Sequence, residues 1–120
     1  MPIQPDNTFT ATSSGRDLSG KPSLILCGTA DNLAPCGNAN STRNGNELFN
    51  QSAGPVVIVF LQGANHFAPT GSGSNGFTGI STAWLAANMF NDASARALFF
   101  GANPQILQVS GWVNERFKGM

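Results

Sequence analysis

At 120 residues the chain is long enough for one domain and too short for two. Hydrophobic residues make up 41% of it and charged residues only 10%, well under the roughly 25% of ordinary globular proteins, so a core can form while Asn, Ser, Thr and Gly, as in many extracellular proteins, solvate the surface. Six basic residues balance six acidic ones, which argues against sequence-independent nucleic-acid binding, since that needs a basic patch.

Residues 1 to 21 are rich in Thr, Ser, Gly and Pro without sustained periodicity, and read as a loop or linker entry. The opening Met1-Pro2-Ile3-Gln4-Pro5-Asp6 has neither a basic start nor an apolar h-region, so no signal peptide is expected from it. Pro22-Ser23-Leu24-Ile25-Leu26-Cys27-Gly28 is a short apolar run closed by Gly, the pattern of a buried strand. The chain must turn between Asp31 and Pro35. Residues 36 to 50 are dense in Asn and only weakly amphipathic; Ala39, Leu48 and Phe49 suit a poor helix. Pro55 opens Val56-Val57-Ile58-Val59-Phe60-Leu61, β-branched and apolar on both faces, as in a strand covered on both sides. This longest apolar run is far short of the roughly 20 residues that span a bilayer, so no membrane span is expected.

A Gly/Ser/Thr loop is expected over residues 68 to 79. Ala83, Trp84, Ala87 and Phe90 then follow helical spacing, with Ser81 as the expected N-cap. A second short helix is expected from Asp92 to Phe100, capped by Asn91 or Asp92. Two apolar strands separated by about 30 residues of helix-capable chain imply a crossover unit and a parallel sheet. The fold class is therefore α/β, with parallel strands and flanking helices.

Cys27 and Cys36 are too few and too far apart for a CxxC metal or redox motif. One disulfide in an oxidising compartment is open to them. The expectation is instead that Cys27 is a small buried core residue, because unbonded cysteine is among the most buried residue types. One His and two ill-spaced Cys do not make a zinc site, and nothing in the sequence calls for a cofactor.

In open parallel sheets the functional groups lie at the carboxyl ends of the strands. Asp31 and His66 both fall just past such an end. His66 is the sole histidine; it follows Gly63 and Ala64 and precedes a Gly/Ser loop. Backbone hydrogen bonding would explain a lone loop histidine, and an Asx-turn would explain a strand-exit aspartate. Together they suit a different chemistry. A carboxylate bonded to one imidazole nitrogen fixes the tautomer, and the other nitrogen can then take a serine proton.

Gly28-Thr29-Ala30-Asp31-Asn32-Leu33-Ala34-Pro35, followed by Gly63-Ala64-Asn65-His66-Phe67-Ala68-Pro69, resembles the bacterial cutinase and polyester-hydrolase branch of the α/β-hydrolases. In that family one strand ends in Gly-x-x-Asp-x-x-Ala-Pro bearing the triad Asp, and the next in Gly-Ala-x-His bearing the triad His. Asp before His, with the serine upstream, is the α/β-hydrolase order. The resemblance continues through Ala83-Trp84-Leu85 and Phe90-Asn91-Asp92-Ala93-Ser94-Ala95-Arg96, which is similar to the family's closing helix and Asp/Arg turn. Residues 105–120 fall outside the clear resemblance, as a C-terminal extension whose Trp112 and Phe117 are candidates to pack on the other half. The resemblance implies that residues 22–104 are the C-terminal half of a hydrolase domain. It also implies an extracellular or periplasmic setting.

The departures are equally specific. The family's nucleophile sits in a Gly-x-Ser-x-Gly elbow, and this sequence has none; Gly79-Ile80-Ser81-Thr82-Ala83 is the nearest match and lies after the histidine. The oxyanion-hole donors, from the elbow and an earlier strand, are missing with it. The expected function is thus the Asp31/His66 portion of a serine ester hydrolase, silent alone, acting on an ester or polyester when completed by an N-terminal half. The alternative is a non-catalytic interaction or binding domain derived from that fold, with oligomerisation through an exposed sheet edge. Phe67 and Trp84 are candidate ester contacts, and Thr70 to Gly76 a candidate rim or lid.

Overall fold

A computed structural model describes residues 21–36, 44–70 and 76–120. The two apolar runs form β1 (Ser23–Gly28) and β2 (Val56–Leu61). They pair in parallel, in register from Ser23 with Val56 to Gly28 with Leu61. Side chains alternate across a strand, so each run feeds two cores. Leu24, Leu26, Val57 and Val59 face one side; Ile25, Cys27, Val56, Ile58 and Phe60 face the other. Leu24–Cys27 and Val56–Leu61 are apolar without interruption because both faces of the sheet are covered.

The first face is covered by α2 (Phe77–Met89) and α3 (Ala93–Phe99); α1 (Asn44–Gln51) lies on the second. In α2, Phe77, Ile80, Trp84 and Ala87 make the buried stripe. The helix therefore begins a turn earlier than Ser81, at Gly76, whose φ of 93° supplies a left-handed entry. Ser81 is not the N-cap: it lies inside the helix, with a buried hydroxyl that has no hydrogen-bond partner. Burial of Phe77, edge-on to Trp112 at 5.7 Å, holds the additional turn. For α3 the expected cap is observed. Asp92 accepts a hydrogen bond from Ala95 N at 2.8 Å, which satisfies one of the donors that a helix start leaves unpaired. Arg96 then joins the two helices, donating to Ala87 O at 3.4 Å and lying 4.3 Å over the Phe100 ring.

The sheet is mixed, not all parallel. Residues 105–120 supply a 3-10 turn (Gln105–Gln108) and a third strand, β3 (Trp112–Lys118), antiparallel to β2. Phe60 pairs with Val113 and Ile58 with Arg116, so three steps on β3 oppose two on β2. This bulge is built at Asn114, whose φ is 54°. The extra residue returns Phe117 to the same face as Trp112, and both pack on the core shared with α2 and α3. Trp112 and Phe117 thus find their partners within this chain.

β3 also anchors α1. Lys118 Nζ donates to the carbonyls of Phe49, Asn50 and Ser52 at 2.7, 2.9 and 2.8 Å, a cationic cap on the helix C-terminus. Arg116 bonds Asn46 Oδ1 and lies over the Phe49 ring. All six residues of β1 are buried, while β3 is largely part-exposed. The sheet edge presented to solvent is therefore β3, where the bulge and the charges of Glu115, Arg116 and Lys118 oppose edge-to-edge pairing. Among the described residues no helix is long and apolar enough to cross a membrane.

The cysteine expectation is corrected. Cys27 is buried in the core, but it is not a free thiol: it is bonded to Cys36. Burial and bonding are compatible, because α1 covers the disulfide. Gly45 allows the close approach; a Cβ there would meet Cys36 Sγ at 2.6 Å and Cys27 Sγ at 3.0 Å.

Candidate functional site: the Asp31–His66 pair

Parallel pairing in register brings the two strand exits side by side. Thr29 N donates to Leu61 O at 3.1 Å, Ala30 N to Ala64 O at 3.0 Å, and Gly63 N to Thr29 Oγ1 at 2.8 Å. These bonds brace the loop after β1 against the loop after β2. Asp31 and His66 lie directly beyond the braces, one in each loop.

Asp31 Oδ2 and His66 Nδ1 are 2.9 Å apart. A carboxylate can only accept, so Nδ1 carries the proton and the ring's basic lone pair falls on Nε2. Asp31 Oδ1 accepts two backbone hydrogen bonds, from Leu33 N at 3.0 Å and Ala34 N at 2.9 Å. The carboxylate is thereby fixed in rotation, with one oxygen assigned to the turn and the other to the imidazole. Its side chain is 1% exposed, against 32% for His66. A shielded carboxylate behind a part-exposed imidazole is the arrangement that sets tautomer and ring orientation for proton transfer. The Asx-turn is also present, and it is what aims the carboxylate.

The histidine side is shaped by its own loop. Asn65 Oδ1 accepts from Phe67 N at 3.0 Å, and Ala68 N donates to Asn65 O at 3.1 Å, leading into a short 3-10 turn (Ala68–Thr70). Phe67 is 63% exposed, its ring edge-on to the imidazole with centroids 5.5 Å apart. A cleft of about 610 Å³ lies along this loop, lined by Leu61 to Asn65 and by Phe67 and Ala68. A smaller one of about 260 Å³ reaches Asp31 among Thr29, Pro35, Cys36, Phe60 and Asn114.

The structure does not bring Trp84 to this site. It is 3% exposed, packed edge-on to Phe99 and stacked on Phe100 in the core, so its ring is occupied by packing. Of the candidate rim, Thr70 ends the 3-10 turn and Gly76 opens α2; residues 71–75 lie outside the described residues. Among those described, no three His, Cys, Asp or Glu side chains form a metal-binding group.

Sequence reasoning missed Thr29 and Asn65 as loop-bracing residues, and it missed the disulfide bond. A threonine directly after a strand-ending glycine, and an Asn beside the histidine, were the available signals, since both residue types bond nearby backbone. Comparison with protein-family models and with curated proteins finds no match for this chain.

Proposed function

We propose that the chain supplies the acid–base half of a serine ester hydrolase of the cutinase or polyester-hydrolase kind. The observation that carries this reading is the 2.9 Å Asp31–His66 contact at the ends of adjacent parallel strands. In the reaction, His66 Nε2 takes the proton of a serine hydroxyl as it attacks the ester carbonyl. The same nitrogen returns the proton to the leaving alkoxide, while Asp31 holds the ring and stabilises the imidazolium. The serine and the oxyanion donors come from a Gly-x-Ser-x-Gly half that this sequence does not contain. Phe67 would offer an apolar contact to the acyl or aryl part of the ester. The buried disulfide supports an oxidising setting, extracellular or periplasmic.

The test is hydrolysis of a short-chain nitrophenyl ester by the chain alone and after mixing with an elbow-bearing N-terminal hydrolase half. The expected result is no His66-dependent activity alone and a gain on mixing. His66-dependent turnover by the chain alone would refute the division of labour. No gain on mixing would favour the alternative, an interaction domain derived from the fold.

A further inference from the structure

We infer that the Cys27–Cys36 disulfide is a positioning element for Asp31, holding the carboxylate in the orientation that engages His66. The inference concerns the same residue pair and rests on the hydrolase reading for its functional meaning. The loop that carries Asp31 is braced on its entry side by Thr29 and Ala30 against the β2 loop. Among the described residues its exit side has no strand partner. The chain there is tied to the core, among these residues, by the disulfide at Cys36 and by Asn44 Nδ2 donating to Pro35 O at 2.6 Å.

Connectivity makes the disulfide the stronger constraint. Its ends are nine residues apart in sequence, and Asp31 lies between them. One end sits in β1, in register with Phe60 of β2. The other is buried beneath Gly45 of α1. Cys36 therefore fixes the chain two residues beyond Ala34, whose N–H, with that of Leu33, clamps Asp31 Oδ1. The clamp in turn decides which oxygen faces Nδ1. Without the ring closure, the tie that remains among the described residues is the Pro35 bond, and the Leu33 and Ala34 amides gain freedom to rotate away. On a loop-closure estimate, a ring of this size restricts the open loop by up to about 100-fold.

The sole histidine gives a direct readout in the full chain without any activity assay. With ¹⁵N labelling, the ring nitrogens of His66 should report an imidazole locked with its proton on Nδ1. In Cys27→Ala/Cys36→Ala the two ring shifts should move toward those of an unconstrained tautomer mixture. Hydrogen exchange at the Leu33 and Ala34 amides should rise by tenfold or more. Phe99→Leu, which loosens the core on the opposite face of the sheet, should leave both signals unchanged. If the double variant does not fold, Cys36→Ala alone opens the ring while keeping β1 packed, and carries the same expectation. A folded variant with the wild-type His66 signature would overturn the inference, as would an equal shift in Phe99→Leu. A locked imidazole in a chain that never complements an elbow-bearing half would instead count against the hydrolase reading and leave the positioning role standing.

Discussion

Replacing Asp31 by Asn changes one atom's chemistry at the centre of the site and little of its shape. In the wild type, Oδ1 receives two backbone N–H bonds at 3.0 and 2.9 Å, and Oδ2 receives Nδ1–H at 2.9 Å. An asparagine keeps the turn only if its oxygen stays on the Leu33 and Ala34 amides. Its NH₂ must then replace Oδ2 opposite the imidazole. Two donors cannot bond each other, so Nδ1 gives up its proton and the ring adopts the Nε2–H tautomer. The basic lone pair then points at residue 31 and away from a serine. The stability cost is modest, about 1–2 kcal/mol, because one neutral hydrogen bond replaces a charge-assisted one. On the proposed hydrolase reading, the catalytic cost is large. A wrong-tautomer histidine in a serine triad loses about 10⁴ in kcat, equivalent to roughly 5.5 kcal/mol of barrier. In the enzyme completed by an elbow-bearing half, Asp31→Asn should lower kcat for a nitrophenyl ester by that factor with KM nearly unchanged. A loss of less than tenfold, in a variant whose ¹⁵N spectrum shows the Nε2–H tautomer, would refute the reasoning.

Other perturbations separate the scaffold from the site. Gly45→Ala places a Cβ against the disulfide sulfurs and should destabilise the fold by about 1–3 kcal/mol through overpacking, read as a lower denaturant midpoint. Lys118→Met removes the cation from three carbonyls at the end of α1. A loss of about 1 kcal/mol is expected, with faster amide exchange in α1 and an unaltered His66 signature. Trp84→Ala should cost about 3–5 kcal/mol as a core cavity. If that variant is cooled until folded, the Nδ1–H tautomer of His66 should persist; its loss would place Trp84 in the site after all.

What was legible in the sequence follows from how each element is buried. β1 and β2 are covered on both faces, so their residues form short apolar runs whose length, flanking Pro and Gly and, in β2, β-branched content mark them as strands. Asp92 was readable as a cap because capping is local. β3 was not readable. Its bulge at Asn114 breaks the two-residue alternation, and Arg116 and Lys118 are there to hold α1, so the segment has no strand-like pattern. The start of α2 was misplaced because Ser81 is a capping residue by type, whereas the core contact of Phe77 decides the boundary. Burial of Cys27 was foreseen and its bond was not, since composition says nothing of which segments meet. Asp31 and His66 were found because one motif follows each of two parallel strands. Thr29, which joins their loops, acts through a bond between residues 34 apart, a separation no local pattern reveals.

Fluorophosphonate labelling of an elbow serine supplied on a separate half tests the central claim most directly, because the reagent reports an activated hydroxyl independently of substrate choice. The wild-type chain should make that serine react, and His66→Ala should return labelling to the level of the elbow half alone. Equal labelling with the wild-type and His66→Ala chains would contradict the account.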